Sequence, residues 1–598
     1  MKVLVALVCM PILNFLQLFS NFILLFSVFM LLFSVAADAQ HPDLILVNGR
    51  IFTSDTSKLY VEALAVREGR IIAAGSNSEI EKFRAAGTRR IDLQGKLVVP
   101  GFNDAHNHLP NALKSTFIDL PGLNPSWQSL VDSLRIAVRK TPKGQFIQAT
   151  IGLDIINTPD ANRFVLDKLA PDNPILLLSW WGHVGIFSTS ALSKFGISVT
   201  QPDPKGGSYE RMPDHQTLTG KAFEKNAYWP HTSYQKIMAL GDNEMLIGKL
   251  KGLSQAMLKS GITSYQNMCT GARAADYINI WKRAGLPFRL RLIRWADMDA
   301  DGTLNIPSKE LPRAIPGMPF ITVSGTKWLL EGTPLEQGAA NIDAYPGKGD
   351  WHGKMNYTIP EIEKMCREAL SRKDQICFHI GGSKTIGEVL DLMTGMNVNW
   401  KAIRPRFEHG DEIDYSPGYL DKARKLGVII VQNPTHFAPV PGMQPFSRST
   451  SIPSDAPLPA ENNKQSDLQT GSTTSGAPLA THGMALKTLL NAGIPLAIGS
   501  DGPFNPFLNI MLATTHPMRP SEAITREEAV IAYTLTSAYA EFEEQNKGTL
   551  TVGKFADLAV LSNDIFTVSI PELMETESLL TIVNGDVVYD SGKLKPKE

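Results

Sequence analysis

The middle of the chain alternates short apolar runs with amphipathic segments of helical period, and this alternation constrains the fold more than any other feature. Short apolar runs are typical of strands buried on both faces, and amphipathic segments are typical of helices that cover a sheet. The strand-like runs occupy residues 174–179, 261–265, 288–293, 375–379, 405–409, 427–432 and 494–501, with amphipathic runs at 362–371 and 416–426. This alternation predicts an α/β fold built on a (β/α)8 TIM-like barrel.

Both ends of the chain carry strand-like segments of a different character. Asn48-Gly49 and Asn584-Gly585 each separate two apolar runs, a setting typical of a hairpin turn, and Gly69 marks another turn. We therefore predict one small composite β-sandwich domain built from both chain ends, residues 40–100 and 546–598. The barrel, residues 101–545, would be inserted between them, and its segment 109–250 is too long for one β-α unit, so we expect an insertion there.

The N-terminus has the composition of an export signal. Between Met1 and Ala37 the single charged residue is Lys2, and residues 22–37 form an apolar stretch. Ala37-Asp38-Ala39 then provides the small-x-small pattern of a cleavage site before Gln40. We expect residues 1–39 to be a signal peptide and the protein to be periplasmic. The alternative is an uncleaved inner-membrane anchor, since the whole apolar run is long enough to span a bilayer.

The composition of the chain limits the kinds of partner that we expect it to bind. Lysine and arginine number 58 and aspartate and glutamate 59, which leaves a formal net charge of -1. Without a concentrated basic face there is no electrostatic reason to expect nucleic acid, so the expected partner is a small-molecule substrate. Once the signal is cleaved we expect no stable membrane partner. The four cysteines form no Cys-x-x-Cys pair, which argues against a disulfide framework and a thiolate zinc site.

Residues 442–481 are rich in proline, serine, glycine and asparagine. A stretch of this length and composition predicts a long surface loop, and we expect it to act as a lid over the pocket.

His106 and His108 are the first candidate active-site residues. They follow the strand-like run at residues 97–99, and residues at i and i+2 of extended backbone point to the same side. Two imidazoles placed in this way can converge on one metal ion, with Asn107 turned aside.

Three further polar residues stand where strand-like runs end. His379, His409 and Asp501 each close an apolar run, and a glycine follows each of them within two residues. The catalytic groups of barrels occupy the carboxyl ends of the strands. Imidazole and carboxylate are ligands of borderline-soft divalent metals, zinc first among them. The sequence therefore predicts a site for one or two divalent ions, with His106, His108, His379, His409 and Asp501 as ligands.

Six segments, taken together, resemble the amidohydrolase superfamily, and more closely its YtcJ-like branch, which includes N-substituted formamide deformylases. They cover nearly the whole chain after the N-terminal segment, in order, at residues 46–53, 99–108, 261–264, 407–409, 498–503 and 553–561. The resemblance implies a metal-bearing barrel with a composite β domain, and a hydrolase acting on carbon–nitrogen bonds other than peptide bonds.

The resemblance also implies roles for residues outside this set. Lys327 fits a strand lysine that, once carboxylated, bridges two metals in related enzymes; the alternative is an unmodified lysine paired with Glu331, which replaces the usual aspartate. His183 matches a Gly-His near the pocket and is expected to be catalytic or substrate-binding, or else a structural histidine. Glu224 matches a family position, although a carboxylate on a helix face is the simpler interpretation. Apart from the resemblance, His436 follows a strand-like run, and its position there leads us to expect that it lines the pocket and binds substrate.

Two departures from the family pattern stand near the expected ligands. The segment His379-Ile-Gly-Gly-Ser lacks the aspartate that the family often has there, and Asn267 stands near the place of another family aspartate. These departures concern the groups around the ligands or the choice of substrate, not the ligands themselves.

The resulting hypothesis is a metal-dependent amidohydrolase that cleaves a non-peptide amide, N-acyl or N-formyl bond. Metal-activated water would attack the carbonyl, with Asp501 as general base and then general acid. One alternative is an ester or lactone hydrolase on the same site, and another is a non-catalytic binding protein on an amidohydrolase scaffold. The oligomeric state is left open, a homodimer included.

Overall fold

The computed structural model describes residues 41–111, 113–120, 124–224, 241–437 and 483–594. The expected signal peptide, residues 1–39, and the expected lid loop, residues 442–481, lie outside these ranges. No helix within the described ranges has both the length and the apolar character needed to cross a bilayer.

The N-terminal part of the chain contributes strands to two sheets. Its strands are β1 (Leu44–Val47), β2 (Arg50–Phe52), β3 (Tyr60–Val61), β4 (Ala63–Arg67), β5 (Arg70–Gly75), β6 (Arg89–Asp92) and β7 (Leu97–Pro100). The order β5-β4-β1-β6 makes a four-stranded sheet. The hairpin expected at Gly69 is confirmed, because β4 and β5 pair antiparallel around it.

The expectation of a hairpin at Asn48-Gly49 is wrong. β1 pairs with β4 and β6, whereas β2 pairs with β3 and β7 in the other sheet. Asn48 adopts a left-handed φ of 59°, and the chain passes there from one sheet to the next instead of folding back. An Asn-Gly pair fixes a sharp bend, but the partner of each strand is decided by residues far along the chain.

The first barrel strand, β8 (Phe102–Asn107), is followed by an insertion with its own sheet. The inserted strands are β9 (Ser115–Ile118), β10 (Phe146–Ile151), β11 (Ile175–Ser179), β12 (Val184–Phe187), β13 (Ser208–Arg211) and β14 (Leu218–Phe223), in the order β13-β14-β12-β11-β10-β9. The apolar run at 174–179, expected in the barrel, is therefore a strand of the insertion. Its hydrophobicity shows that it is buried and does not show which sheet it joins.

The remaining strands of the middle region complete the barrel. They are β15 (Ile262–Met268), β16 (Arg289–Trp295), β19 (Ile321–Leu329), β20 (Ile376–Ile380), β21 (Arg406–His409), β22 (Ile429–Gln432) and β23 (Leu496–Ile498). Between β16 and β19 the chain forms a separate two-stranded sheet of β17 (Asp297–Met298) and β18 (Leu304–Asn305). The barrel sheet has eight strands in the order β23-β22-β21-β20-β19-β16-β15-β8. Neighbouring strands are parallel throughout. Just beyond β23 the Asp501 amide donates to the His106 carbonyl oxygen at 2.8 Å, which brings the last strand to the first.

Helices cover the outside of the sheets. They span Asn77–Glu81, Trp127–Lys140, Leu153–Asn157, Arg163–Leu169, Thr189–Phe195, Asn243–Lys259, Ala274–Ala284, Ile359–Ser371, Ser383–Gly395, Trp400–Ile403, Pro417–Leu426, Leu486–Asn491, Pro506–Thr515, Arg526–Ile531, Ser537–Tyr539 and Ile570–Met574. The helices expected at 362–371 and 416–426 are confirmed. In the first of them Thr358 and Glu361 form a capping box, and the buried face includes Cys366.

The C-terminal strands complete the second sheet of the β domain. They are β24 (Leu558–Leu561), β25 (Ser578–Val583) and β26 (Asp586–Asp590), and the sheet order is β26-β25-β24-β7-β2-β3. The hairpin expected at Asn584-Gly585 is confirmed by the antiparallel pairing of β25 with β26. Along β7, Leu97 and Val99 pack into the barrel core while Val98 packs into the β-domain core, as strand alternation requires. The expected fold class, a TIM-like barrel with a composite β domain from both chain ends, is confirmed.

Candidate metal centre at the carboxyl end of the barrel

His106 and His108 lie on the first barrel strand and just beyond its end. Their strand is β8, not the expected run at 97–99, which belongs to the β domain. Both imidazoles face the Asp501 carboxylate: His108 Nε2 lies 3.3 Å from Asp501 Oδ1, and His106 Nε2 lies 3.8 Å from Asp501 Oδ2. The spacing of i and i+2 therefore brings the two rings to one side, as expected.

Asp501 is held in place by the backbone around it. It lies three residues past β23 with a left-handed φ of 37°, and its amide is bonded to β8. The neighbouring Ser500 amide donates to Asp104 Oδ1 at 3.0 Å, a second link between the two strands. Burial would raise the pKa of the Asp501 carboxyl group, but the His106 and His108 imidazoles hold that pKa well below its ordinary value. The side chain is therefore an anion facing two imidazoles.

His379 and His409 approach the same point from the opposite side of the barrel. Their ring centroids are 4.6 Å apart, and the His409 ring lies 5.1 Å from that of His106. His106, His409 and Asp501 each offer one ligand atom, and these atoms lie within 4.8 Å of one another. All five residues expected as ligands from the strand-end pattern therefore meet at the carboxyl end of the barrel.

Hydrogen bonds to the Nδ1 atoms fix the orientation of the imidazoles. His106 Nδ1 donates to Glu408 Oε2 at 2.7 Å, and His108 Nδ1 lies 3.0 Å from the Met268 carbonyl oxygen. The Asn433 side-chain amide lies 3.2 Å from His409 Nδ1. The Nδ1 atoms of His106 and His108 are taken up by these contacts, so their Nε2 atoms face Asp501. Metal-binding histidines commonly have one ring nitrogen held in this way while the other faces the metal.

Glu408 is a further residue of this cluster, and the strand-end pattern in the sequence did not single it out. Its carboxylate is completely buried and accepts hydrogen bonds from both His106 and the Arg406 guanidinium. Burial would raise its pKa, but the positive charges of Arg406 and Lys327 hold the pKa far below its ordinary value. The available sequence signal was Arg406-Phe-Glu-His, two opposite charges at i and i+2 in a strand that is buried on both faces.

Lys327 projects from β19 into the same region. The side chain is 1% exposed, and Nζ has no hydrogen-bond partner among the described residues. Burial lowers the pKa of Lys327 to about 8, even though Glu408 and Asp501 oppose the shift. Imidazole nitrogens, a carboxylate and one unsatisfied buried amine form a donor set that fits a divalent metal centre.

The expected alternative for Lys327, an ion pair with Glu331, is not what the structure contains. Glu331 Oε1 accepts from the amides of Gly381 and Gly382 at 2.7 and 2.8 Å. Its Oε2 accepts from the Ala340 amide and the Thr385 hydroxyl, each at 2.6 Å. Glu331 therefore holds the loop that directly follows His379, in the segment that departs from the family pattern.

His183 and His436 flank the five clustered residues. The His436 ring stacks on His409 at 5.4 Å, and its Nε2 lies 3.3 Å from the Asp501 carbonyl oxygen. The His183 ring lies 4.6 Å from that of His379, and its Nδ1 lies 2.8 Å from Glu224 Oε2.

The interpretation of Glu224 as a helix-face carboxylate is wrong. The residue directly follows strand β14, with a left-handed φ of 68°, and it is buried. A polar residue next to a glycine-containing apolar run can be assigned to a helix from sequence, but here the run pairs with β12 and β13.

A parallel eight-stranded barrel with imidazoles and a carboxylate at its carboxyl end is the arrangement typical of metal-dependent barrel hydrolases. The chain belongs to the amidohydrolase family, whose model matches residues 89–589.

Two relatives and one solved structure extend this comparison. An N-substituted formamide deformylase of Arthrobacter pascens is 24% identical over 567 residues, covering 92% of this chain and 99% of the relative. YtcJ of Bacillus subtilis is also 24% identical, over 583 residues and 98% of its length, covering 91% of this chain. An uncharacterised metal-dependent hydrolase of Pyrococcus horikoshii superimposes with a TM-score of 0.62 at 18% identity, covering 88% of this chain and 99% of that one. Each relative matches across almost its whole length, so the likeness extends to the β domain and the insertion as well as the barrel.

Proposed function

We propose that this protein hydrolyses a carbon–nitrogen bond in a non-peptide amide, of the N-acyl or N-formyl kind. The observation that carries the proposal is the Asp501 carboxylate, which faces His106 and His108 within 3.3–3.8 Å at the carboxyl end of the barrel. That end is where barrel enzymes place their chemistry. The full-length similarity to an N-substituted formamide deformylase supports the choice of bond.

The residues that would hold the metal are His106, His108, His379, His409 and Asp501, and we propose zinc as the ion because it suits this donor set. A divalent metal bound there supplies Lewis acidity for the substrate carbonyl and lowers the pKa of water from ~15.7 toward ~7. Glu408 would hold His106 through Nδ1, so that the ring keeps one orientation throughout turnover.

Asp501 would be the general base. As an anion it can accept the proton of the attacking water and later donate that proton to the leaving nitrogen. His436 and His183 stand on either side of the clustered ligands and would bind the substrate, with His183 also able to donate a hydrogen bond to the developing oxyanion.

Lys327 would determine whether the site holds one ion or two. Its lowered pKa makes the neutral amine available near neutral pH, and a neutral amine can add carbon dioxide to give a carbamate with loss of one proton. The carbamate oxygens would then add an anionic ligand between two ions. A carbamate signal in carbon-13 NMR of protein prepared in labelled bicarbonate tests this step, and its absence in protein that holds two metal ions would contradict it.

A substrate panel tests the proposed bond. N-formyl and N-acyl amines should be hydrolysed, and the matched formate and acetate esters and lactones should react more slowly. Preference for esters or lactones would favour the alternative hydrolase on the same site. Metal binding without turnover of any member would favour a binding protein on this scaffold.

We also propose that the protein is exported to a periplasm after cleavage before Gln40. Composition of the N-terminal segment supports this proposal, and the alternative is an inner-membrane anchor formed by the same segment. N-terminal sequencing of the protein purified from its own cells tests it: a first residue of Gln40 supports cleavage, and an intact Met1 in the membrane fraction supports the anchor.

A further inference from the structure

His183, Glu224 and Glu336 form a second cluster outside the barrel ligand set. One ligand atom from each residue lies within 4.8 Å of the others. His183 and Glu224 belong to the insertion, whereas Glu336 lies in the loop after barrel strand β19. From this juxtaposition we propose that the three residues form a second divalent-cation site, at the contact between the insertion and the barrel.

The two carboxylates converge on one point of the backbone. A Cβ atom built on Gly332 would lie 2.6 Å from Glu224 Oε1 and 2.7 Å from Glu336 Oε1. Glycine is therefore what allows both carboxylate oxygens to approach this place. Glu224 is 6% exposed, so one of the two anions is removed from water. Two like charges brought together in this way repel each other, and a cation between them removes the repulsion.

The electrostatics of Glu336 agree with this geometry. Burial raises the pKa of Glu336, the neighbouring Glu224 raises it further, and His183 acts in the opposite direction. A bound cation would favour both carboxylates as anions, as divalent ions do at other carboxylate sites.

Glu336 is held by groups that leave it able to bind an ion. Trp181 Nε1 donates to Oε2 at 2.8 Å, and the Thr333 amide and hydroxyl also donate to the carboxylate. Each carboxylate oxygen has two lone pairs, so these hydrogen bonds orient the group without using all its acceptor positions. Donors of this kind around a ligand are typical of metal sites.

The ligand set indicates the class of cation. One imidazole and two carboxylates are a donor set for zinc or manganese rather than for a soft, thiolate-binding metal. The site shares no ligand with the barrel centre, although the His183 ring lies 4.6 Å from that of His379. An ion held by His183 Nδ1 would leave Nε2–H as a donor and would link the insertion to the barrel. The inference does not depend on which bond the barrel centre cleaves.

Metal stoichiometry tests the inference directly. Metal-stripped protein is titrated with Zn²⁺ and, separately, with Mn²⁺, and bound metal is measured by inductively coupled plasma mass spectrometry. Glu224→Gln and Glu336→Gln should each bind about one equivalent less than the unmodified protein. Glu210→Gln is the matched control, because Glu210 lies on β13 of the same insertion, pairs with Lys221 and is outside the cluster. It should bind the full number of equivalents.

A third variant removes the site without removing a ligand atom. Gly332→Ala places a methyl group against both carboxylates and 2.9 Å from the Gly338 Cα. Gly332 is outside the left-handed region, so its own φ accepts alanine, and the folding controls report any shift of the Gly338 backbone. This variant should also bind about one equivalent of metal less than the unmodified protein. Circular dichroism and thermal unfolding should show that it is folded.

The double variant His106→Asn/His409→Asn removes two of the proposed barrel ligands and should retain the second-site equivalent. The inference is overturned if this double variant binds no metal, or if Glu224→Gln and Glu336→Gln bind as much as the unmodified protein.

Discussion

Two buried polar regions lie inside the same barrel, and they differ in how their charges are satisfied. Deep in the barrel, Arg291 donates to Ser324, Gln266, Gln375 and the Ala540 carbonyl oxygen at 2.6–3.1 Å. All three guanidinium nitrogens thus donate to fixed acceptors.

At the carboxyl end the arrangement is different. Lys327 is equally buried and has no hydrogen-bond partner among the described residues, while imidazoles and the Asp501 carboxylate converge beside it. Burying charge without satisfying it destabilises a fold, so it persists where a ligand completes the site. Burial and charge alone therefore do not mark a functional site. The satisfied network holds strands together, and the incomplete one is where we propose that the chemistry takes place.

Glu408 joins the two regions. One of its oxygens accepts from Arg406 Nε at 2.7 Å, and the other accepts from His106 Nδ1 at 2.7 Å. Arg406 in turn donates to Gln266, which also binds Arg291. The deep network around Arg291 and Arg406 therefore orients His106, a proposed metal ligand. We call the cluster of His106, His108, His379, His409 and Asp501 the upper site. We expect the deep network to contribute mainly to stability and the upper site mainly to activity.

The largest expected effect is on turnover at the upper site. Asp501→Asn keeps the shape of the side chain but removes the proposed base, so kcat on an N-formyl amine should fall about a thousandfold while metal remains bound. Steady-state kinetics with metal analysis of the same sample checks this. A fully active variant would show that the base has been misassigned.

The next largest effect is on the stability of the deep network. Arg406→Met leaves Glu408 buried without its guanidinium partner, so the free energy of unfolding should fall by about 3 kcal/mol or more. Urea denaturation of metal-free protein measures it. Arg367→Met is the control, because its pair with Glu363 is exposed and should contribute less than about 0.5 kcal/mol. If both variants lose the same free energy of unfolding, the buried ion pair is no more important for stability than the exposed one.

A smaller effect is expected at Glu331, which holds the loop after His379. Glu331→Gln replaces one acceptor oxygen by an amide that faces hydrogen-bond donors, so unfolding should become easier by about 2 kcal/mol. Because His379 would be held less firmly, zinc affinity should also fall about tenfold. Calorimetric zinc titration measures the affinity, and a loss of stability with unchanged zinc affinity would separate the loop from the metal site.

The smallest effect, and one of opposite sign, is expected at Lys327. Lys327→Met removes a buried ammonium that makes no hydrogen bond, so metal-free protein should unfold with a free energy about 1 kcal/mol higher. Turnover should fall in the same variant, because the proposed bridging group is gone. If this variant is destabilised by several kcal/mol, the lysine is part of the satisfied network and the comparison between the regions fails.

Sequence reasoning located the upper site better than the network beneath it. His379 and Asp501 could be found because each ends an apolar strand-like run and is followed by a glycine, a pattern that is local in the chain. Arg406 and Glu408 lie within a strand, and their opposite charges at i and i+2 are a weak local signal. Their other partners, among them Gln266 and Ala105, come from strands far away in sequence, and no local pattern identifies those. Glu336 lies in a loop and joins His183 only through the packing of the insertion on the barrel.

In the fold, as in the site, local patterns could be predicted from the sequence and long-range pairings could not. Strand positions followed from short apolar runs, but the sheet that each strand joins did not. The run at 174–179 is as apolar as the barrel strands, yet it pairs with β10 and β12 of the insertion. Asn48-Gly49 and Asn584-Gly585 have the same two residues, yet only the second makes a hairpin. Strand partners depend on long-range packing, which local composition does not record.

The most direct test measures metal content and unfolding free energy together, in His409→Asn and Arg291→Met. We expect His409→Asn to lose barrel metal with little change in the stability of the metal-free protein. We expect Arg291→Met to keep its metal and lose about 3 kcal/mol of stability, since several buried acceptors lose their donor. The opposite pattern, with metal retained in His409→Asn and lost in Arg291→Met, would contradict the assignment of chemistry to the carboxyl end of the barrel.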